Sequence, residues 1–206
     1  MQTSTENSSF SGVAPDQTSG QNACLSQEFV FENFFSVEEC EQITYLDLTV
    51  YQAEVNYHNP EKSLSQLNLK HRNALNKAIP RRPEFEWIYG RLIHKLHQVN
   101  RDYYHFDLRS MSDLQLLEYQ NTGFYGTHVD IGTGAISNRK LTMVTFLSSP
   151  EDYEGGDLVL KPKGLAVPQK QGSLVVFPSY MPHEVCPVTQ GIRHSLVAWI
   201  TGPCFR

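Results

Sequence analysis

No apolar run in the sequence approaches the roughly 18 to 20 residues that a membrane-spanning helix requires. The amino terminus also lacks the basic stretch and apolar run of a secretory leader. Cysteine is sparse: Cys24, Cys40, Cys186 and Cys204 are widely scattered and never paired at the short spacing of a zinc knuckle or a redox dithiol. They read as packed or incidental thiols in a reducing cytoplasm. A basic surplus is missing too. Lys plus Arg number 17 against 22 Asp plus Glu, a net charge of −5, whereas a dedicated nucleic-acid binder neutralises phosphates with excess cations. Charged residues at 19%, with 13 glycines and 11 prolines in 206 residues, exclude a coiled coil, a collagen-like rod and a wholly disordered chain. What is present is 40% hydrophobic and 11% aromatic residues, enough for one sizeable core and one domain.

Residues 1–23 are rich in Ser, Thr, Gln, Asn and Gly and bury too little to offset the entropy of ordering, so a flexible tail is expected there and one domain over 24–206. Order is expected to begin at the cluster Phe29, Val30, Phe31, Phe34 and Phe35. Ser36 and Glu39 are spaced as a capping box, which predicts a helix from Val37 to about Leu48. Phe85, Ile88, Tyr89, Leu92, Leu96 and Val99 recur at helical spacing and predict a second helix, Pro83 to Val99, with one stripe to lay on a sheet. Residues 61–109 hold ten basic and five acidic side chains, +5, leaving −10 for the remainder. A solvated face is the simpler reading of that charge run, and steering of an anionic partner the other.

After Ser112 the pattern turns to short β-type runs: Leu114–Gln120, Gly126–Ile131, Lys140–Leu147, Asp157–Lys161, Ser173–Phe177, His183–Pro187 and Arg193–Ile200. Turn residues separate them, which predicts a sandwich, jelly roll or barrel over 112–201, buttressed by the helices of 36–110.

With eight His and eight Asp in 206 residues, chance alone yields roughly 0.3 His-x-Asp triplets. Two occur, His105-Phe106-Asp107 and His128-Val129-Asp130, and residues i and i+2 of a strand share a face. His128 lies within the β region, whereas His105 directly follows the predicted helix, so His128 and Asp130 are the candidate pair. A third ligand is expected from a later strand, where His183 follows the turn-like Pro178–Pro182. Two imidazoles and one carboxylate form the facial set suited to non-haem Fe(II) and oxygen, not the closed tetrahedral set of structural zinc. Ten residues beyond His183, Arg193 shares a strand face with Ser195. Directed inward, a guanidinium requires an anion such as the far carboxylate of a dicarboxylic acid; at a strand end it can instead reach solvent.

These residues fall in an order that resembles a known family. Tyr119-x-x-x-Gly123-x-Tyr125-x-x-His128-x-Asp130, Tyr153-Glu154-Gly155-Gly156-Asp157-Leu158, Gly172–Ser179, His183-Glu184-Val185, Pro187-Val188-Thr189, Gly191-x-Arg193 and Trp199 are similar to the catalytic core of the Fe(II)/2-oxoglutarate-dependent dioxygenases. The nearest branch is the prolyl-4-hydroxylase-like one that includes PKHD-type hydroxylases. The resemblance covers Leu114–Trp199, a little under half the chain. It implies a mainly β, α+β double-stranded β-helix (jelly roll) with N-terminal helices packed on it. It places His128, Asp130 and His183 on Fe(II), Arg193 on the distal carboxylate of 2-oxoglutarate, and Tyr119 beside that cosubstrate, with O2 as second cosubstrate and ascorbate as an accessory reductant. One departure stands out in Arg139-x-x-Thr142-x-x-x-Phe146-Leu147. The Phe146 position is often Tyr in prolyl hydroxylases, where the hydroxyl helps hold the distal carboxylate, and Ser195 is placed to supply a hydroxyl instead.

The resemblance implies hydroxylation of an unactivated C–H bond, with release of succinate and CO2. Asp130 fills the position that a halogenating relative would leave small. Expected substrates are an amino acid, a small metabolite or a peptidyl, prolyl-type residue. A metal-free cupin-like binding module and a nucleic-acid oxidative demethylase are the competing readings. Among other residues, His94 and His97 are expected on solvated surface, Trp87 off the apolar stripe, Trp199 and Cys186 in packing roles, and Gly132-Thr133-Gly134 in a loop that could cover substrate.

Overall fold

The computed structural model describes residues 23–57, 64–66, 68–161 and 163–205. The tail expected over 1–23 lies outside the described residues except for Ala23, which opens a short 3-10 turn, Ala23–Ser26. Helix α1 spans Val37–Thr44 and carries the capping box: Ser36 Oγ accepts from the Glu39 amide at 3.2 Å, and the Glu39 carboxylate accepts from the Ser36 amide at 2.9 Å. It ends four residues before the expected Leu48. Beyond it Thr49, Val50 and Tyr51 favour extended chain, and Leu46 and Leu48 reach the core without helical geometry.

Helix α2 (Glu86–Val99) begins from a 3-10 turn at Pro83–Phe85 and buries Ile88, Tyr89, Leu92, Leu96 and Val99, as its periodicity predicts. That stripe packs on Leu114, Leu116, Met143, Leu196 and Ala198 of the large sheet. Tyr89 ties helix to sheet twice. Its hydroxyl donates to the Ile79 carbonyl at 2.7 Å and accepts from the Leu114 amide at 3.1 Å.

The early strands are β1 (Phe29–Phe31), β2 (Val50–Gln52), β3 (Val55–Tyr57), β4 (Leu64–Gln66), β5 (Arg72–Asn73) and β6 (Leu75–Ile79). Five of them fall in the stretch 36–110 that was expected to be helical. Runs of two to five residues carry too little periodicity to announce a strand, and β6 becomes one by pairing with a core strand. The later strands are β7 (Ser110–Met111), β8 (Leu114–Gln120), β9 (Phe124–His128), β10 (Arg139–Phe146), β11 (Tyr153–Gly155), β12 (Leu158–Leu160), β13 (Leu165–Ala166), β14 (Leu174–Pro178), β15 (His183–Val185) and β16 (Val188–Thr201).

The large antiparallel sheet runs β1-β14-β10-β16-β8-β6-β2, with β7 and β11 also on β16; the small one runs β13-β12-β15-β9-β5. β3 and β4 pair only with each other among the described residues. Strand alternation assigns the two faces of the large sheet. Leu196, Ala198 and Ile200 of β16 point to the helices, while Val197 and Trp199 join Leu117, Val144 and Phe177 in a second core against Leu158, Leu160 and Val185 of the small sheet. This is the mainly β, two-layer jelly roll expected, and the space between its layers holds the site. Among the described residues no helix is long and apolar enough to cross a membrane.

Candidate metal centre

His128 is the last residue of β9 and His183 the first of β15, and the two strands pair so that these residues sit opposite each other. Asp130 lies just past the strand end, held by its amide on the Ser179 carbonyl at 2.8 Å. The strand expected to continue to Ile131 therefore stops at His128, and the chain turns Asp130 back toward the imidazoles. His128 Nε2 is 3.6 Å from Asp130 Oδ1, and His183 Nε2 is 3.5 Å from Asp130 Oδ2. One ligand atom from each of the three residues lies within 4.8 Å of the others. His105, by contrast, caps the turn after α2 at a left-handed φ of 56°, and His94 and His97 are exposed.

Hydrogen bonds fix which atoms face inward. His128 Nδ1 donates to the Gly126 carbonyl at 2.8 Å and His183 Nδ1 to the Met181 carbonyl at 2.9 Å. A carbonyl only accepts, so each Nδ1 carries a proton and each Nε2 is the ring nitrogen turned to the centre. Burial pushes the His183 imidazole down to about 4, against the opposing pull of Asp130, which keeps it neutral at pH 7. For Asp130 burial opposes ionisation, but His183, His128 and the hydroxyl of Thr142 together hold its carboxyl well below the usual carboxylate range. Thr142 Oγ1 donates to Asp130 Oδ2 at 2.7 Å, leaving Oδ1 toward His128. Two imidazoles turned with Nε2 inward and an ionised carboxylate, all oriented from behind, form a donor set that fits a divalent transition metal with positions to spare.

Across the same cavity stands Arg193, 1% exposed and facing inward beside Ser195. Its Nε donates to Gln169 Oε1 at 3.1 Å and its Nη1 to Ser195 Oγ at 3.3 Å, while Nη2 is buried with no hydrogen-bond partner. No described carboxylate comes within ion-pairing distance of it. The guanidinium lies over the rings of Tyr119 at 5.3 Å and Phe146 at 5.5 Å. Gly156 makes room for it: a Cβ there would meet Arg193 Cδ at 2.8 Å. An unpaired buried cation is costly, so this arm of the cavity fits an anion. Tyr119, Ser195 and Trp199 line the same space, and Trp199 Nε1 is another buried donor without a partner.

Two participants gave no signal in the sequence, Gln169 in a loop with no periodicity and Arg72 on a two-residue strand, while Thr142 stood out only as a motif position and not as the donor behind Asp130. A pattern of residue types cannot show which loop amide will reach a particular guanidinium.

Residues 114–201 match the family described as the 2OG-Fe(II) oxygenase superfamily. The chain is similar to a PKHD-type hydroxylase of Teredinibacter turnerae, 38% identical over 89 residues, covering 40% of this chain and 39% of that protein. It is also similar to one of Crocosphaera subtropica, 35% identical over 97 residues, 45% and 44% of the two. The chain thus matches less than half the length of these relatives. Among solved structures, a viral collagen prolyl hydroxylase from Paramecium Bursaria Chlorella virus-1 in complex with 2OG superposes with TM-score 0.66 at 19% identity over 88% of this chain and 99% of that one. A Pseudomonas putida prolyl-4-hydroxylase gives 0.62 at 20% over 86% and 94%. At these identities the structural likeness is one of fold.

Proposed function

From residues 114–201 as a segment of the 2OG-Fe(II) oxygenase superfamily, we propose that the chain is an Fe(II)- and 2-oxoglutarate-dependent dioxygenase. It hydroxylates an unactivated C–H bond of an amino acid, a small metabolite or a peptidyl, prolyl-type residue. Substrate C–H, O2 and 2-oxoglutarate become C–OH, succinate and CO2. The observation that carries this reading is the partnerless Arg193 Nη2, buried in the cavity that the His128, Asp130 and His183 ligand atoms also face. A three-ligand cluster alone fits several metals, and a buried arginine alone fits several anions; the two together fit a chelating dicarboxylate.

His128 and His183 offer Nε2 lone pairs and Asp130 a carboxylate oxygen to the metal. Fe(II) held by these three residues would supply O2 activation, and three protein donors would leave room for a chelating keto acid. Arg193 receives the other carboxylate, steadied by Gln169 and Ser195, which fixes the cosubstrate's direction across the cavity. Ser195 supplies the hydroxyl that Phe146 lacks. Tyr119 packs under the guanidinium, and Val144, Leu158 and Val197 keep water out. Thr142 holds Asp130 in one rotation throughout. We take residues 24–206 as one catalytic unit, since β6 and β2 extend the sheet that carries Arg193. A cytoplasmic setting follows the scattered cysteines.

The test is succinate release with Fe(II), 2-oxoglutarate and O2 against a panel of amino acids, peptides and oligonucleotides. Coupled turnover with an amino acid or peptide is expected. Coupling only to methylated nucleic acid would replace hydroxylation with demethylation, and failure to bind Fe(II) would leave a metal-free cupin-like module.

A further inference from the structure

We propose that Arg72 is a specificity-determining residue that grips a carboxylate of the substrate through its Nε–Nη2 edge, so that the preferred substrate is a free acid of the amino-acid class. This deepens the oxygenase reading and rests on it. Arg72 lies on β5, outside the segment that matches the family, and lines the cavity with His128 and Asp130. It is 6% exposed. Nη1 donates to the Glu54 carbonyl at 2.9 Å, and the guanidinium carbon sits 4.6 Å from the centre of the Tyr125 ring. Nε is buried with no partner, and among the described residues no carboxylate ion-pairs with Arg72.

What is left open is the Nε–Nη2 edge, the planar fork that matches a carboxylate through two parallel hydrogen bonds. The aromatic face attracts the guanidinium but leaves its charge unneutralised. Tyr125 in turn stacks on the His128 ring at 3.4 Å, so an acid on Arg72 lies one aromatic layer from the ligand cluster. A second cation that feels Arg72 is already employed: Arg139 donates to the Asp130 carbonyl at 3.1 Å and lies 3.8 Å over the Trp199 ring. It repels Arg72 and sharpens that residue's demand for an anion. Arg193 and Arg72 then divide the work, one cation for the cosubstrate and one for the substrate. A residue inside a peptide has no carboxylate of its own backbone to offer Arg72, whereas a free amino acid has.

The experiment titrates the full chain anaerobically with the twenty free L-amino acids and with their carboxamides, at saturating Fe(II) and 2-oxoglutarate, by calorimetry. At least one free acid is expected to bind tenfold or more tightly than its amide. Arg72→Gln should remove that preference while leaving amide affinity alone, and Arg72→Lys, which keeps the charge but not the fork, should fall between. A wild-type protein that binds no free acid more tightly than its amide overturns the proposal without needing any variant, as does Arg72→Gln weakening acid and amide equally. Failure of the oxygenase reading shows separately, as no binding of Fe(II) or 2-oxoglutarate before any amino acid is added.

Discussion

Replacing Arg193 with methionine separates anion binding from iron binding and gives stability and affinity opposite signs. With the cavity free of cosubstrate, the Arg193 guanidinium donates to Gln169 and Ser195 and lies beside the Tyr153 hydroxyl, all neutral groups, and Nη2 has no partner. Replacing even paired buried charges by apolar side chains of similar volume is often neutral or stabilising by about 1–4 kcal/mol, and Arg193 has no partner charge to lose. With 2-oxoglutarate bound, the same substitution leaves a buried carboxylate unpaired, at a cost of about 3–5 kcal/mol. At 1.4 kcal/mol per factor of ten, that is roughly a hundred- to several-thousand-fold loss of cosubstrate affinity. The iron ligands are untouched, so Fe(II) affinity should stay within about threefold of wild type. Thermal melting reads both signs. Saturating the wild type with cosubstrate at about 100 Kd adds about 2.7 kcal/mol, or roughly 5–10 °C in a chain of this size. In Arg193→Met the cosubstrate shift should vanish while the melting temperature without it holds or rises. A variant that melts lower without cosubstrate and keeps a full cosubstrate shift would refute the assignment, because Arg193 would then be a structural ion and not an anion receptor.

The other predictions follow the same geometry. His128→Ala and Asp130→Ala should each abolish Fe(II) binding and the absorption band that forms when 2-oxoglutarate is added anaerobically, whereas His105→Ala should leave both intact; loss of the band in His105→Ala would mean the wrong triplet holds iron. Thr142→Val removes the donor to Asp130 Oδ2 and should lower Fe(II) affinity about 10- to 100-fold by calorimetry, the usual effect of losing a hydrogen bond behind a ligand. Gly156→Ala combines a Cβ at φ +68° with a 2.8 Å approach to Arg193 Cδ, so it should weaken 2-oxoglutarate and spare iron; unchanged cosubstrate binding would show that the turn does not position Arg193. His194, whose pKa is lowered by burial despite the facing Glu118, with Lys77 and Arg193 adding to the depression, binds fewer protons folded than unfolded. Its contribution to stability is therefore whole above its ordinary value near 6.5 and is lost as pH falls from there through its lower folded-state value. Chemical denaturation from pH 8 to pH 5 should show a steeper loss for wild type than for His194→Gln, and parallel curves would exclude this origin.

Much of the core was legible because its signals are local. The Ser36–Glu39 box, the α2 stripe and β8 follow from spacing alone, and the metal triplet His128-x-Asp130 was separable from His105-x-Asp107 by the β-type runs around it. The stretch between the helices was not legible. β5 and β6 are strands because β9 and β8 give their backbones partners, and neither carries enough alternation to be read alone. For the same reason Arg72 looked like one cation among ten in a basic segment, although it is buried beside the ligand cluster.

By itself the sequence determined residue chemistry and periodicity: which side chains can ligate a metal, which faces must be buried, and in what order these features come. Only the tertiary structure decided which of them meet. His128 and His183 are 55 residues apart and become neighbours through one pairing of β9 with β15, and Arg193, buried between the layers, has no carboxylate partner among the described residues. Ligand type is a property of a side chain, whereas an unsatisfied charge is a property of everything packed around it, and that exists only once the two sheets have come together.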